Sequence, residues 1–217
     1  MMASREVYCE DVFEWLNKYP LEDNCSIVAS MPDISEFNFT PDEWKQWFEK
    51  TAALLLRRTS PHGATLFFQT DIKIEGRWID KAYLIQKAAD SLGHHQLFHK
   101  IISRVDIGMA TKGKPAYSHL LAFSKDLKLD VNLSTPDILT QLGEKTWERG
   151  MGLEVSLLIA KFIKKETQTK LVINPFCGEG SMLAAANYQG LDAIGIERSP
   201  KRAEKARILK VEKGSFV

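Results

Sequence analysis

Two glycines followed by a distant carboxylate form the pattern in this sequence that is most specific for a chemical site. Gly178 and Gly180 follow the apolar run 171–174 after Pro175, Phe176 and Cys177, and Ser181 then begins a helical pattern. Glycines here let the backbone turn tightly and approach a ligand beside a helix N-terminus, which carries partial positive charge. Glu197 ends the next apolar run, where a carboxylate can accept hydrogen bonds from both hydroxyls of a ribose. The spacing predicts a site for an adenosine-containing cofactor.

One position in the following helix narrows the class of cofactor. A domain that binds a nicotinamide dinucleotide would carry a third glycine three residues after Gly180, and Leu183 stands there instead. This side chain disfavours a pyrophosphate seated on the helix N-terminus. The pattern is therefore less typical of a dinucleotide than of another adenosine-containing cofactor.

The elements that would position this motif are spread over the whole chain. Strand-like and helical runs alternate, which predicts an α/β fold with a doubly wound, mostly parallel sheet. The predicted strands are residues 6–9, 25–30, 64–70, 96–105, 118–124, 171–174 and 192–197, and the predicted helices begin near residues 12, 41, 80, 153, 181 and 200. Because little chain follows the glycine motif, the other strands must come from the N-terminal half, which implies a circularly permuted order.

Composition places the chain among globular proteins of one domain. It has 217 residues, of which 44% are hydrophobic and 26% charged, with a formal net charge of +1. This balance argues against a chain that coats nucleic acid non-specifically. No apolar run reaches membrane-spanning length, and the first residues lack signal-peptide character. The three cysteines, Cys9, Cys25 and Cys177, lie in or beside apolar runs and predict buried, reduced thiols in a cytoplasmic protein.

Residues 174–181, Asn-Pro-Phe-Cys-Gly-Glu-Gly-Ser, resemble the Asp-Pro-Phe-x-Gly-x-Gly-Ser loop of the S-adenosylmethionine (SAM)-dependent amino-methyltransferases. That family methylates cytosine N4 or adenine N6 in DNA, or bases in RNA. Residues 193–197, Ala-Ile-Gly-Ile-Glu, are similar to its ribose-binding strand. The resemblance implies S-adenosyl-L-methionine as the cofactor and a seven-stranded, Rossmann-like class I methyltransferase sheet in circularly permuted order.

The resemblance also divides the single domain, residues 1–217, into three segments. Residues 1–125 would form the catalytic and substrate-binding half, residues 126–152 a connecting loop, and residues 153–217 the half that binds the methionine and ribose of SAM. The cofactor-binding residues that it implies are Asp11 at the adenine, Gly150 and Gly152 at the methionine moiety, and Asn174, Pro175, Phe176, Cys177, Gly178, Gly180, Ser181 and Glu197.

The segment 26–33, Ser-Ile-Val-Ala-Ser-Met-Pro-Asp, lies where the family carries its catalytic Ser-Pro-Pro-Tyr or Asp-Pro-Pro-Tyr. Ser30 and Pro32 are predicted to orient the acceptor, and Asp33 to bind it or to accept a proton. The alternative is that Asp33 and Ser35 merely form a capped turn.

This tetrapeptide departs from the family pattern at two positions. Met31 and Asp33 replace the first proline and the aromatic residue that stacks on the target base. Phe37 or Trp44 could supply another stacking surface, although a tryptophan at helical spacing is more typical of a core. The departure leaves open a methyltransferase for a protein or small-molecule acceptor, which an aspartate would suit.

The predicted acceptor is a base of a nucleic acid, and a structured RNA, either tRNA or rRNA, is favoured over DNA. Such an RNA can be recognised by its shape, or through a partner protein, without a dedicated base-reading domain. Asp71, Arg104 and His119 lie at predicted strand ends and are candidates for substrate contact. The basic helix after Ser199 could face RNA or simply solvent. The alternative from a different class is a non-catalytic, cofactor-binding partner subunit.

A metal site is not predicted. His94, His95 and His99 have no cysteine or carboxylate at the spacing of a ligand set. The sequence makes no prediction of oligomeric state.

Overall fold

The computed structural model describes residues 3–20, 24–130, 132 and 135–217. Within them the strands are β1 (Arg5–Tyr8), β2 (Cys25–Ala29), β3 (Thr65–Gln69), β4 (Ile72–Ile74), β5 (Arg77–Ile79), β6 (His95–Ser103), β7 (Tyr117–Ser124), β8 (Ile138–Leu139), β9 (Leu171–Asn174), β10 (Asp192–Ile196), β11 (Val211–Glu212) and β12 (Ser215–Phe216). The helices are α1 (Val12–Lys18), α2 (Pro41–Arg58), α3 (Lys81–Ser91), α4 (Leu153–Glu166), α5 (Ser181–Tyr188) and α6 (Pro200–Ile208), and Ile34–Glu36 forms one 3₁₀ turn.

Eight of these strands form one sheet in the order β1-β10-β9-β2-β3-β7-β6-β8. The strands from β1 to β3 in this order are parallel to their neighbours. β7 is antiparallel to both β3 and β6, whereas β8 is parallel to β6. The mostly parallel sheet is therefore confirmed. The predicted count of seven strands is one too few, because the short strand β8 lies in the segment predicted as a connecting loop.

The two C-terminal strands of this sheet lie between strands of the N-terminal half. β10 pairs with β1, and β9 pairs with β2. Residues 1–125 thus supply the other strands of the sheet, as the sequence predicts, except β8, which comes from the segment predicted as a connecting loop. The circular permutation refers to the motif order of other methyltransferases and stays a prediction.

Helices pack on both faces of the sheet. In β2, Ile27 belongs to a core cluster with residues of α1, α2 and α3, whereas Val28 belongs to a second cluster with residues of α4, α5 and α6. Successive side chains of a strand point to opposite faces, so the central strands are buried on both sides and read as continuous apolar runs. The doubly wound architecture is confirmed.

The helix α2 shows how local sequence sets an element that shapes the site. Thr40 accepts a hydrogen bond from the Glu43 N–H, and Glu43 accepts one from the Thr40 N–H, while Pro41 occupies the first helical position. Trp44 and Phe48 lie on its buried face. Trp44 is fully buried, so it is a core residue and not the replacement stacking surface.

Three segments contain strands that the sequence pattern did not reveal. After α6, β11 and β12 form a short antiparallel pair. β4 and β5 form a hairpin whose turn places Glu75 and Gly76 at φ values of 50° and 76°, which is typical of a two-residue turn that follows strand twist. In residues 126–152, β8 pairs with β6, and the buried Lys100 donates to the carbonyl of Pro136 at 2.8 Å. These contacts attach the predicted connecting loop to the sheet.

Two further expectations concern burial and the membrane. Cys25 and Cys177 are buried, but Cys9 is exposed because it follows the last residue of the edge strand β1, so the prediction of three buried thiols is wrong at that position. In the described part of the chain, no helix is both long enough and apolar enough to cross a membrane.

Candidate active site

A cleft of about 1160 Å³ opens at the carboxyl ends of the parallel strands. The chain leaves β1, β10, β9, β2 and β3 at this edge, which is where open α/β sheets bind their ligands. All of the predicted site residues line the cleft except Gly152, Gly180 and His119. The cleft therefore brings together residues from both ends of the chain.

The turn after β9 requires glycine at position 178. Gly178 has a φ of 54°, a region that side chains disfavour, and a Cβ at this position would lie 3.4 Å from the indole of Trp147. The guanidinium carbon of Arg202 lies 5.0 Å from the centre of the same indole. Trp147 thus covers the glycine turn with a flat apolar surface, and Arg202 lies against that surface.

Glu197 occupies the position predicted for a ribose-binding carboxylate, directly after β10. Its Oε2 accepts a hydrogen bond from the Gly178 N–H at 3.1 Å, and its Oε1 accepts one from the Ser199 N–H at 2.8 Å. Arg202 Nε lies 3.2 Å from Oε1. Only 8% of the residue is exposed. The two backbone N–H groups take two of the about four lone-pair directions of the carboxylate, and Arg202 is held as an ion pair, so Glu197 can still accept hydrogen bonds from a ligand.

Two predicted cofactor residues have packing roles outside the cleft. Gly180 has a φ of 90°, and a Cβ on it would lie 2.7 Å from the Cα of Ala206 in α6. A Cβ on Gly152 would collide with the carbonyl oxygen of Leu142. Both glycines are required because two backbones approach closely, and their contact with the cofactor stays a prediction.

Local hydrogen bonds fix the rest of the glycine loop. Asn174 Oδ1 accepts a bond from the Phe176 N–H at 3.2 Å, which folds the chain at Pro175. Ser181 begins α5, and its hydroxyl lies 3.4 Å from that of Thr146. The loop is thus shaped by its own side chains before any ligand binds.

Cys177 lines the cleft as a protonated thiol. Burial, together with the nearby Glu197, raises the pKa of this thiol to about 12. A Cβ on Gly195 would lie 2.8 Å from its sulfur, so strand β10 packs closely on it. Because the thiolate is the nucleophilic form, Cys177 is a packing residue rather than a nucleophile at neutral pH.

Asp11 lies where β1 leaves the sheet, beside the end of β10. It caps α1, and its Oδ1 accepts a hydrogen bond from the Phe13 N–H at 2.9 Å. The remaining lone pairs of the carboxylate can accept a bond from an amino group, such as that of adenine.

The catalytic candidates Ser30, Pro32 and Asp33 follow β2 and line the cleft. Asp33 also caps the 3₁₀ turn, since its Oδ1 accepts a bond from the Ser35 N–H at 3.4 Å. Asp33 therefore forms the capped turn that was predicted as an alternative, and its carboxylate also lines the cleft. Lys81 Nζ donates to the other carboxylate oxygen of Asp33 at 3.1 Å.

Asp71 lies two residues after β3 and is the centre of a buried hydrogen-bond network. Its carboxylate accepts bonds from His119 Nε2 at 3.0 Å, from the Trp78 indole at 2.9 Å and from the Lys81 N–H at 2.8 Å. Burial would raise the pKa of Asp71, but these donors hold it below its ordinary value. His119 also pairs with His99 at 2.9 Å. Asp71 and His119 thus fasten the hairpin and α3 to the sheet, and His119 does not reach the cleft.

The substrate candidate Arg104 lies just after β6, is exposed, and lines the cleft. Its Nη1 donates to the hydroxyl of Thr70 at 2.9 Å. Lys114, on the loop that follows, lines the same part of the cleft. These two exposed cations add positive charge to the lining of the cleft, where Lys114 Nζ lies 3.9 Å from Glu148 Oε1.

Lys81, Trp147 and Arg202 line the cleft but were not among the predicted site residues. Lys81 has the pattern of an ordinary first-turn lysine, and only the fold brings it to Asp33. Trp147 lies five residues before Gly152, so a large aromatic residue beside the predicted methionine-binding segment could have been predicted as a site residue. Arg202 belongs to the basic helix that was assigned either to RNA or to solvent, whereas its guanidinium faces Glu197.

The chain is similar to solved structures that are named as methylases or that contain SAM. A putative DNA modification methylase from Thermus thermophilus, complexed with SAM, matches with a TM-score of 0.72 and 19% identity, covering 93% of this chain and 91% of that one. PvuII DNA methyltransferase, specific for cytosine N4, matches with a TM-score of 0.75 and 15% identity, covering 98% and 88%. The M1.HpyAVI–SAM complex matches with a TM-score of 0.61 and 15% identity, covering 94% and 97%.

The likeness to known proteins is found in the structure and not in the sequence. No protein-family model and no curated protein matches the chain. The structural likeness extends over nearly the whole chain in each case. The chain therefore has the Rossmann-like α/β fold of the SAM-dependent amino-methyltransferases.

Proposed function

We propose that this protein is a SAM-dependent methyltransferase that acts on an amino nitrogen of a nucleic-acid base. The observation that carries the proposal is the Glu197 carboxylate, held between the N–H groups of Gly178 and Ser199 at the end of β10. It faces a cleft that also receives the motif Ser30–Asp33 from β2, in a fold shared with methyltransferases.

The residues of the cleft fit SAM by the chemistry of their donors and acceptors. Glu197 would accept hydrogen bonds from the ribose hydroxyls, and Asp11 one from the adenine amino group. Trp147, which lies over Gly178, would cover the bound cofactor from the side of residues 126–152. Asn174 and Gly150 would line the pocket for the methionine moiety.

SAM would supply a methyl group on a positively charged sulfur, so that the new N–C bond forms as the C–S bond breaks and the sulfur keeps the electron pair. The chain's own task is to hold the acceptor nitrogen in line and at near-contact distance. The Ser30 hydroxyl and the backbone opened by Pro32 would orient the amino group. Asp33 would accept a hydrogen bond from the N–H that is lost, and the proton then passes to solvent.

We propose DNA as the acceptor, in preference to the RNA predicted from the sequence. Two of the solved proteins of this fold are named as DNA methylases, and one of these is specific for cytosine N4. Arg104 and Lys114 on the cleft wall would contact the phosphate backbone, which positions a duplex without reading its sequence.

The test combines cofactor binding with methyl transfer on one preparation. Calorimetric titration with S-adenosylhomocysteine should show binding, and tritiated SAM should label duplex DNA more than single-stranded DNA, total RNA or nucleic-acid-free lysate protein. Label found mainly in RNA would return the assignment to the first prediction, and label found only in protein would remove the nucleic-acid acceptor. Binding without transfer to any acceptor would favour a non-catalytic subunit, whereas no binding would overturn the cofactor assignment.

A further inference from the structure

Lys81 places a buried ammonium beside the catalytic candidate Asp33. Its Nζ lies 3.1 Å from Asp33 Oδ2, and only 3% of the Lys81 side chain is exposed, against 32% of the Asp33 side chain. A lysine is almost never fully buried unless it is paired. The ion pair therefore joins the interior of the protein to the surface of the cleft.

The position of Lys81 is fixed from two directions. Its backbone N–H donates to Asp71 at 2.8 Å, which anchors the first turn of α3 to the end of β3. Its Nζ lies 5.4 Å from the ring centre of Trp44 and 5.9 Å from that of Phe48, both on α2. Rings at these distances attract a cation through their faces. The lysine has little freedom to leave Asp33.

Burial and three nearby carboxylates have opposite effects on the pKa of Lys81. Burial lowers its pKa below the ordinary value of a lysine, and the carboxylates of Asp33, Asp71 and Glu36 act in the opposite direction. Asp71 is itself occupied by three donors, and Glu36 pairs with Arg149 at 3.2 Å. Asp33 is thus the carboxylate that Lys81 contacts directly.

We propose that Lys81 is a positioning residue for methyl transfer, which holds the Asp33 carboxylate so that its remaining lone pairs receive the N–H groups of the acceptor amine. The inference rests on the proposed function. Asp33 stands where the resembled enzymes carry an aromatic residue, so a fixed carboxylate would replace stacking by hydrogen bonding as the means of orienting the amine. Lys81 transfers no proton and contacts no substrate.

The experiment compares Lys81→Met, Lys81→Arg and Asp33→Asn with the wild-type protein. Lys87→Met is the matched control, because Lys87 lies on the same helix and pairs with Glu49 at 3.0 Å on the surface. Each variant is measured for S-adenosylhomocysteine affinity, thermal midpoint, and kcat and KM of methyl transfer to DNA. The double variant of Lys81→Met and Asp33→Asn completes a mutant cycle.

We expect Lys81→Met to lower kcat about 10- to 100-fold, the loss that misplacement of an orienting group produces, with cofactor affinity unchanged. Asp33→Asn should lower it similarly, and the double variant should fall no further than the single ones because both changes remove one interaction. Lys81→Arg should restore part of the activity. Lys87→Met should keep wild-type kcat.

A pH profile adds a measurement that a purely structural lysine would not change. In the wild-type protein kcat should fall at alkaline pH, as Lys81 loses its proton below the pH at which an exposed lysine would. Lys81→Arg should move that decline to higher pH, since arginine stays charged. If Lys81→Met does not fold, the role of Lys81 is still tested by kcat of Asp33→Asn and by the alkaline decline of kcat in Lys81→Arg.

Additive losses in the cycle, or wild-type kcat in Lys81→Met, would overturn the role of Lys81 while leaving the proposed function intact. A wild-type protein that binds no S-adenosylhomocysteine and transfers no methyl group would instead reject the proposed function. The two failures are therefore distinguishable on the same set of proteins.

Discussion

The two walls of the cleft are built in different ways. The cofactor wall, made of residues 174–181 and 197–202, has buried carboxylates that are already paired within the wall or with the helix behind it. Glu197 binds Arg202 at 3.2 Å, and Glu179 binds Lys205 at 2.5 Å. The acceptor wall, made of residues 30–37, 69–81 and 104–117, has the buried and paired Asp71 at its base, but it also presents exposed cations to the cleft, including Arg104 and Lys114.

This difference separates two physical tasks. A small cofactor is bound tightly when the donors and acceptors that meet it are held in place beforehand, since little entropy is then lost on binding. A charged polymer is bound through exposed cations, whose attraction depends on salt. The cofactor wall should therefore respond to substitution through stability and cofactor affinity, and the acceptor wall through acceptor binding.

The largest effect is expected from Gly180→Ala, which tests how tightly the cofactor wall is packed. The new Cβ would lie 2.7 Å from the backbone of Ala206 at a φ of 90°, so we expect a loss of about 2–5 kcal/mol in the free energy of unfolding, from overpacking and backbone strain. Urea unfolding measures it. Gly190→Ala is the control, because Gly190 has a φ of 74° with no atom within 4 Å of its Cβ position. Equal losses in both variants would contradict close packing at α6.

The next effect is expected from Glu197→Gln, which tests the link between the cofactor wall and its ligand. An amide cannot accept bonds from Gly178, Ser199 and two ribose hydroxyls together, so affinity for S-adenosylhomocysteine should fall by about 1–3 kcal/mol. Calorimetry measures the change. Glu179→Gln provides the control, because Glu179 is similarly buried in the same wall but does not line the cleft. Unchanged affinity in Glu197→Gln would remove Glu197 from the cofactor site.

The relative positions of the residues in the cofactor wall could be predicted from the sequence better than those in the acceptor wall. Gly178, Ser181 and Glu197 lie within one strand–turn–helix–strand unit, so their types and spacing determine their relation in space. The contact of Gly180 with Ala206 could not be predicted, because α6 returns to the loop only in the folded chain. For the same reason the basic residues of α6 were assigned to RNA or solvent.

The acceptor wall depends on contacts between distant parts of the chain. Asp33 was predicted as a site residue, but its partner Lys81 comes 48 residues later and has no distinctive sequence context. The hairpin β4–β5 was missed because its strands have three residues each. Topology, rather than spacing along the sequence, sets this side of the cleft.

A smaller effect is expected when exposed cations of the acceptor wall are removed. Arg104→Ala and Lys114→Ala should each weaken DNA binding and reduce the slope of log affinity against log salt by about one, if each neutralises one phosphate. Stability should stay within about 0.5 kcal/mol, because both side chains are exposed. Fluorescence anisotropy of labelled DNA over a salt series measures the slope. Lys87→Ala, which changes an exposed cation outside the cleft, is the control. An unaltered slope in both variants would place DNA elsewhere on the surface.

The last prediction concerns thiol reactivity and has the smallest expected effect on stability and binding. It compares Cys177, inside the cofactor wall, with Cys9, at the border of that wall. Burial raises the pKa of Cys177 to about 12, so at pH 8 its thiolate fraction is on the order of one in ten thousand. Cys9 is exposed, so a disulfide reagent should modify Cys9 rapidly and Cys177 only after unfolding. Mass spectrometry of peptides from native protein, with Cys9→Ser as the control, measures both. Because thiolate rises with pH, any reaction of Cys177 should accelerate toward pH 12. Rapid modification of Cys177 at pH 8 would show that the cofactor wall opens readily, and would contradict its description as the wall that is fixed before ligand binds.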